Sequence, residues 1–488
     1  MPIVAGVDSS TQSCTVELRD ADTGALLSTG KSPLPPTYPP VSEQDPDDWW
    51  RAFTIALDNA LTAGGIAPNS IDAISVAAQC HGLVLMDGAG EVLRPVKLWN
   101  DTTSAPQAAA MVDRLGVDYW VRTVGSVPTA AFTITKLAWV AQHEPEHLQH
   151  LRHICVPHDW LTYRLSGRHV TDHSDASGTG YFSVEGNWLT NLLADVIDEG
   201  IDWAPVLPTV LEPSEAAGTL HARVAHELGL RPDVIVGPGA GDQHAGALGL
   251  GLAENEVLYS LGTSGVVMSV AKAPVMDFSG LVNCVADAAG GYLPLVCTLN
   301  ATKVTDTFAR LLGVNHVELA ELALAAPINE ARPVLAAYFD GERSPNRPLT
   351  QGMLANLTNN TTREQLALAA FEGVLLGLVA GHNVLKESGL AADGRVVVTG
   401  GGANSPAYRQ VLADLLQSPV NLLDVPEATA RGACVQAATV LTNQNVEQVR
   451  DAWSPAVIVE NVPRTRSMQN VTDEYLALGA LAEQFYAE

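Results

Sequence analysis

The hydrophobic and polar positions of this chain fall into two recurring patterns. Short apolar runs end abruptly on small polar residues, and longer amphipathic runs follow them. "IVAGVD" (3–8) is continuously apolar until it meets a carboxylate, Asp8. "CTVELRD" (14–20) alternates, and "GALLSTGKSP" (24–33) reads as a third strand. "DPDDWWRAFTIALDNALTAGG" (45–65) predicts a capped amphipathic helix, with Asp45 as N-cap, Pro46 at the first helical position and glycines at the end. "IDAISVAAQCHG" (71–82) returns as a buried strand, and "KLAWVAQHEPE" (136–146) and "HDWLTYRLSG" (158–167) read as helices. "PDVIVGPGAGDQHAGALGLG" (232–251) is an apolar strand meeting glycines and Asp242. Strands followed by crossover helices predict a mostly parallel sheet with helices on both faces.

The opening pattern then recurs. "NEVLYSLGTSGVVMSVAKAP" (255–274) is strand, small polar turn, strand, like the first twenty residues. "GRVVVTGGGANSPAYRQVLADLLQSPV" (394–420) is strand, glycine turn, helix. The recurrence predicts two similar domains, 1–246 and 247–488, each aiming a hairpin loop at a shared cleft. A length of 488 residues fits two such cores.

Charge narrows the function. The formal net charge is −27, from 54 acidic and 27 basic residues, which argues against a nucleic-acid partner. An anionic ligand must then be held by local devices such as backbone N–H groups, helix N-termini or a metal ion. No run of about eighteen apolar residues is found, so no membrane span is expected. The start, "MPIVAGVDSS", lacks a leader pattern and reads as the mature start of a cytoplasmic protein. The six scattered cysteines contain no C-x-x-C pair and predict buried free thiols.

The candidate chemistry lies in the turns. "DSSTQS" (8–13) and "LGTSG" (261–265) are small enough for backbone N–H groups to wrap a phosphate chain, although each alone is equally an ordinary turn. The triple glycine of "VVVTGGGANS" (396–405) suits the flat face of a base or sugar; a tight strand–helix connection is the plainer reading. Asp8 and Asp242 each end an apolar strand, where a lone Asp is usually a cap or turn former. Two of them facing a phosphate cleft make a magnesium and general-base pair, since phosphoryl transfer asks for positioning, charge neutralisation and a carboxylate. Gln79, Cys80 and His81, followed by Trp99, Asn100 and Asp101, combine amide, imidazole, indole and carboxylate in a way that suits a polyol.

Taken in order, these segments resemble the FGGY carbohydrate kinase family of the actin-like ATPase superfamily, over nearly the whole chain. "GVDSSTQS" resembles its first phosphate loop, "SLGTSG" its second and "TGGGANSPAYRQVLADLLQSPV" its adenosine loop. "TITKLAWVAQHEPE" (133–146) and "GMLANLTNNTTREQLALAAFE" (352–372) resemble its two signatures. "QCHG" with "RPVKLWND" most resembles the family's xylulose kinases, with Cys80 standing where Met is usual. The resemblance implies an α/β fold of two actin-like (ribonuclease H-like) domains, a mixed sheet in each and a cleft between them. It implies ATP and Mg2+ as cofactors, with Asp8 and Asp242 toward the metal and Asp242 as base for the 5-hydroxyl of D-xylulose. Thr11, Gln12, Ser13, Gly262, Thr263, Ser264, Gly400, Gly401, Gly402 and Asn404 would hold the nucleotide. Gln79, Cys80, His81, Trp99, Asn100, Asp101 and Gln243 would hold the sugar. The expected partner is a small-molecule sugar, with neither nucleic acid nor membrane, and a homodimer is left open. The alternatives are a ribulose, gluconate or glycerol kinase of the same family, a non-kinase actin-like ATPase, or an idle sugar sensor.

Overall fold

The computed structural model describes residues 1–327, 332–464 and 469–486. The chain forms two compact units. Unit 1 comprises Met1–Gly251, Cys284–Leu293 and Val425–Pro455, and unit 2 comprises Leu252–Asn283, Pro294–Asp424 and Ala456–Glu488.

In unit 1, β1 (Ile3–Ser9), β2 (Ser13–Asp20) and β3 (Leu26–Pro33) form an antiparallel meander, and β1 also pairs in parallel with β4 (Ile71–Ala78). β1 lies between β2 and β4 in the sheet and Ile3–Val7 are buried, which is why it reads as a continuous apolar run. Two short strands, β5 (Ile235–Val236) and β6 (Ala240–Gly241), also pair in parallel with β4. The apolar strand expected ahead of Asp242 is thus two, separated at Gly237–Gly239. Pro238 carries no N–H for a ladder, and Gly239 takes φ +86°.

The register decides what meets at the sheet edge. Ser9 is opposite Ala78 across the parallel β1–β4 pair, and Gly241 is opposite Ala78 across β4–β6. Asp8, the segment Gln79–Gly82 and Asp242 therefore arrive together at the carboxyl ends of three parallel strands, where α/β sheets place their ligands.

Helices fix this edge. α1 (Pro46–Gly64) starts with the Asp45 carboxylate accepting the Asp47 N–H (3.0 Å) and ends at Gly65 with φ +60°. Its buried stripe, including Trp49, Trp50, Phe53, Ala56, Leu57, Ala60 and Leu61, belongs to the same core as β1–β4. α2 (Thr133–His143), α3 (Pro157–Ser166) and α4 (His173–Ser177) follow, and α5 (Asp242–Gly249) has Asp242 as its first residue. The helix Ala428–Thr442 returns to this unit late in the chain. It lies so close to β1 that a Cβ at Gly6 would stand 2.6 Å from Cys434 Sγ. It is equally close to α5, where a Cβ at Gly249 would stand 2.7 Å from the Gly432 nitrogen. Only glycine permits such backbone approach.

Unit 2 is also built on a mixed sheet. β7 (Val257–Leu261) pairs antiparallel with β8 (Gly265–Ser269) and parallel with β9 (Val396–Thr399). The expected strand–glycine turn–helix is found, with one addition: a 3-10 turn, Gly401–Asn404, stands between β9 and the helix Pro406–Leu416. The helix Arg363–Glu387 has the length and hydropathy to cross a membrane, but 78% of its most apolar window is buried in the protein. None of the six cysteines is in a disulfide; five are buried and Cys297 is half-buried.

Candidate active site

Unit 1 gathers one set of the expected residues. The β1–β2 turn is closed by the Ser10 N–H donating to the Ser13 carbonyl (3.0 Å). Ser10 Oγ donates to Asp8 Oδ1 (2.6 Å). Asp8 keeps partial access to the surface, yet it is walled by protein atoms. Burial lifts its carboxyl to about 7 against the Ser10 hydrogen bond, and the neighbouring carboxylates of Asp242 and Glu427 push it further up.

Asp242 opens α5. Its Oδ1 accepts the Gln243 N–H (2.8 Å) and the Cys80 thiol (Sγ–Oδ1 3.3 Å), and its carbonyl accepts Thr429 Oγ1 (3.2 Å). Burial raises this carboxyl too, opposed by the Cys80 and Gln243 hydrogen bonds. Asp8 and Asp242 are therefore neighbouring carboxylates of raised pKa, and among the described residues neither is bonded to a lysine or arginine side chain. Such a donor set, hard oxygen with no bonded cation, fits a divalent cation with oxygen ligands.

His81 is held in a left-handed conformation, φ +65°. Its Nδ1–H donates to the Gly178 carbonyl (2.8 Å), and its ring stacks on Phe132 at 5.3 Å and 18°. Its backbone N–H points to Asp175 Oδ1 (3.4 Å), and its carbonyl accepts Thr133 Oγ1 (3.1 Å). A Cβ at Gly178 would stand 2.5 Å from the ring, so the glycine is what admits the imidazole.

Other expected residues carry the frame. Thr11 Oγ1 donates to Gln79 Oε1 (3.1 Å) and accepts the indole N–H of the half-exposed Trp99 (3.0 Å), while Gln79 Nε2 donates to Gln44 Oε1 (3.1 Å). Asp101 is fully buried and accepts the N–H groups of Ser42 (2.9 Å) and Thr103 (3.0 Å). Burial pushes its carboxyl up, but these bonds and that of the Thr103 hydroxyl outweigh it and leave it below the ordinary value. Asn100 Oδ1 is buried with no hydrogen-bond partner among the described residues. Gln12 and Gln243 are exposed, and Ser13 is half-buried.

The structure adds residues that the sequence reading passed over. His158 is buried with Nε2 facing Asp159 (3.2 Å), Asp172 (3.3 Å) and Asp175 (3.8 Å). Burial alone would depress the imidazole, but the three carboxylates lift it to about 9. Asp172 caps α4 through the N–H groups of Ser174 and Asp175, and Asp175 in turn faces His81. The only sequence signal was a pair of acidic residues, Asp172 and Asp175, at cap spacing.

Unit 2 gathers the second set. Ser260 is opposite Thr399 across the parallel β7–β9 pair, so the Gly262–Ser264 turn and the Gly400–Asn404 segment share one sheet edge. Thr302 N–H donates to the Gly262 carbonyl (3.1 Å) and Ala301 N–H to that of Thr263 (3.3 Å). Thr263, Ser264, Gly401 and Asn404 are exposed. Gly400 has φ +86°, and a Cβ there would stand 2.8 Å from the Leu261 carbonyl, whereas a Cβ at Gly401 would meet nothing within 4 Å. A Cβ at Gly402 would stand 2.9 Å from that of Leu261. The outer surface of this loop is bare backbone, open to a flat ligand.

Comparison with known proteins shows the family of the chain. Residues 3–249 match the model of the N-terminal domain, and residues 257–441 that of the C-terminal domain, of the FGGY family of carbohydrate kinases. The chain is similar to a xylulose kinase of Streptomyces rubiginosus, 39% identical over 467 residues, covering 95% of this chain and 93% of that protein. Among solved structures it is similar to xylulose kinase from Bifidobacterium adolescentis, with TM-score 0.87, 36% identity and coverage of 98% of this chain and 99% of that one. Gluconate kinase from Lactobacillus acidophilus shares the fold, with TM-score 0.88 at 21% identity, covering 99% of this chain and 97% of that one. The chain belongs to the FGGY family of carbohydrate kinases.

Proposed function

We propose that this protein transfers the γ-phosphoryl group of ATP to the 5-hydroxyl of D-xylulose, giving D-xylulose 5-phosphate and ADP. Carbohydrate kinases of this family use ATP. The observation that carries the reading is the meeting of Asp8, Cys80–His81 and Asp242 at one sheet edge, in a chain similar to xylulose kinases over nearly its whole length. Asp242 takes the hydroxyl proton; its burial raises its basicity toward that of a useful base. His81, fixed by Gly178 and Phe132, orients the sugar, and Trp99 and Asn100 add an apolar ring and an unpaired acceptor. Thr11, Gln12 and Ser13 on unit 1 face phosphate. Gly262, Thr263, Ser264, Gly400, Gly401, Gly402 and Asn404 on unit 2 hold the nucleotide. Asp8 and Asp242 would hold Mg2+, which supplies charge neutralisation at the phosphates.

The test is ADP release from Mg–ATP with D-xylulose, D-ribulose, L-ribulose, L-xylulose, gluconate or glycerol. Stimulation by D-xylulose above all others is the expected outcome. Stimulation by another compound would reassign the substrate and keep the kinase chemistry. ADP release that none of them changes would remove the sugar.

A further inference from the structure

Lys136 is the fourth residue of α2 and is fully buried. A buried ammonium is costly unless it is bonded, and the N-terminal turn of a helix is the end that disfavours a cation. Its Nζ donates to three backbone carbonyls, those of Ala130 (3.1 Å), Ala131 and Phe132 (3.4 Å). These carbonyls belong to the segment that leads into α2, whose N-cap residue, Phe132, makes no side-chain cap bond. The lysine folds back over this turn and draws the three carbonyls to one point. We propose that Lys136 is a positioning residue for the sugar: by gathering these carbonyls it seats Phe132 and Thr133 against His81. The inference rests on His81 facing the sugar.

Both residues touch His81 directly. The Phe132 ring stacks on the imidazole at 5.3 Å, and Thr133 Oγ1 donates to the His81 carbonyl at 3.1 Å. Phe132 and Thr133 are buried, so their place follows that of the backbone that carries them. The other side of the grip is the 178–180 segment. Gly178 accepts the His81 Nδ1–H, and the Thr179 carbonyl accepts the Ile134 N–H (2.9 Å). A Cβ at Gly180 would stand 2.7 Å from Ile134 Cγ2, so that segment lies hard against the first turn of α2.

The lysine has the chemistry for this task. Thr135 Oγ1 lies near two of the same carbonyls, Ala130 (3.4 Å) and Phe132 (2.9 Å), but a hydroxyl has one proton to give. An ammonium has three, one for each carbonyl, and bonds from a charged donor are the stronger kind. Burial pushes the Lys136 ammonium down to about 7, while Asp101 acts to raise it and Lys97 to lower it. The three carbonyls favour the charged form. A lysine that only stabilised the fold would, when lost, lower the melting temperature and the active fraction without telling one substrate from the other.

The experiment compares wild type, Lys136→Met and Lys136→Gln, with His81→Ala and Phe132→Leu as references. It records kcat, the KM of D-xylulose and of ATP, and the imidazole resonances of His81 in ligand-free protein. Lys136→Met keeps an apolar stem and removes the donors. It should raise the D-xylulose KM about tenfold while the ATP KM holds, and move the His81 resonances toward those of Phe132→Leu. An unchanged D-xylulose KM or unmoved His81 resonances overturn the inference. So does a rise shared equally by ATP, or a fall in kcat with both KM values held, since either marks general loosening. If Lys136→Met does not fold, Lys136→Gln takes its place, with two N–H donors on a shorter chain. A smaller rise confined to the sugar is then expected, and an unmoved sugar KM overturns the inference. His81→Ala separates the two levels. If it leaves the sugar KM in place, the placing of His81 at the sugar fails and the inference falls with it. If it raises the sugar KM and the lysine variants do not, the lysine alone fails.

Discussion

The two units meet the same local problem with opposite means. Each carries a strand–turn–strand hairpin beside a parallel neighbour, with its candidate residues at the carboxyl ends. In unit 1 that edge is dense with side chains. A carboxylate ends the strand, a hydroxyl is bonded to it, and an amide, an indole and an imidazole are each pinned by a scaffold bond. In unit 2 the edge carries no carboxylate among its candidate residues; it offers exposed hydroxyls and glycine backbone. Side chains select and react, whereas bare backbone supports a ligand by shape and N–H groups. On the proposed function, the reacting groups belong to unit 1 and the nucleotide cradle to unit 2.

The largest effect expected from this contrast comes from the carboxylates. Asp8→Asn should lower kcat by roughly 10²–10⁴-fold, on the scale of lost acid–base and electrostatic groups. It should also stabilise the ligand-free protein. Asp8 keeps its proton up to about pH 7 when folded, but gives it up near 3.8 when unfolded. Between those values the folded state binds more protons, so this group erodes stability as pH rises from about 4 to 7. The Asn variant escapes that loss, and its melting temperature at pH 8 should exceed wild type by about 3 °C. An unchanged or lower melting temperature would contradict the raised carboxyl.

Next comes the sugar side. Gly178→Ala places a methyl group against the His81 ring and should raise the sugar KM about tenfold while the ATP KM holds. Equal change in both would mean that His81 does not face the sugar. The smallest and sharpest test lies in unit 2. Gly400→Ala should lower the melting temperature, since φ +86° strains any side chain and the Leu261 carbonyl stands in the way. Gly401→Ala, whose methyl meets nothing, should leave melting unchanged yet raise the ATP KM several-fold. If the Gly401 variant binds ATP normally, the bare loop is not the nucleotide platform.

Short-range pattern made much of this legible. The β1–β2 hairpin, α1 with its Asp45 cap, and the two small turns follow from periodicity and cap residues within a few positions. Asp8 stood out because a charge at the end of a buried strand has a cost that something must offset. What stayed hidden depends on contacts far apart in sequence. Asp175 reaches a residue 94 positions earlier, so nothing local marked it as part of the His81 support. The left-handed backbone of His81 is uncommon for a residue other than glycine, and no local pattern announced it. The thiol–carboxylate bond spans 162 positions and was invisible for the same reason. Trp99 and Gln79 were legible as polar and aromatic groups, but not as the pair that holds Thr11.

The helix Ala428–Thr442 has a consequence for how the molecule is made. It lies on β1 and on α5, the first strand of unit 1 and the helix that Asp242 opens, through glycines that admit no side chain. A ribosome delivers β1 long before this helix. Until the helix emerges, the strand waits with one face uncovered, and Asp242 with its helix unseated. A chain cut at residue 251 would carry Asp8, Cys80, His81 and Asp242 in its sequence and still lack the helix that packs on β1 and α5. The unit that begins with β1 is completed only by Val425–Pro455, after most of unit 2 has been made.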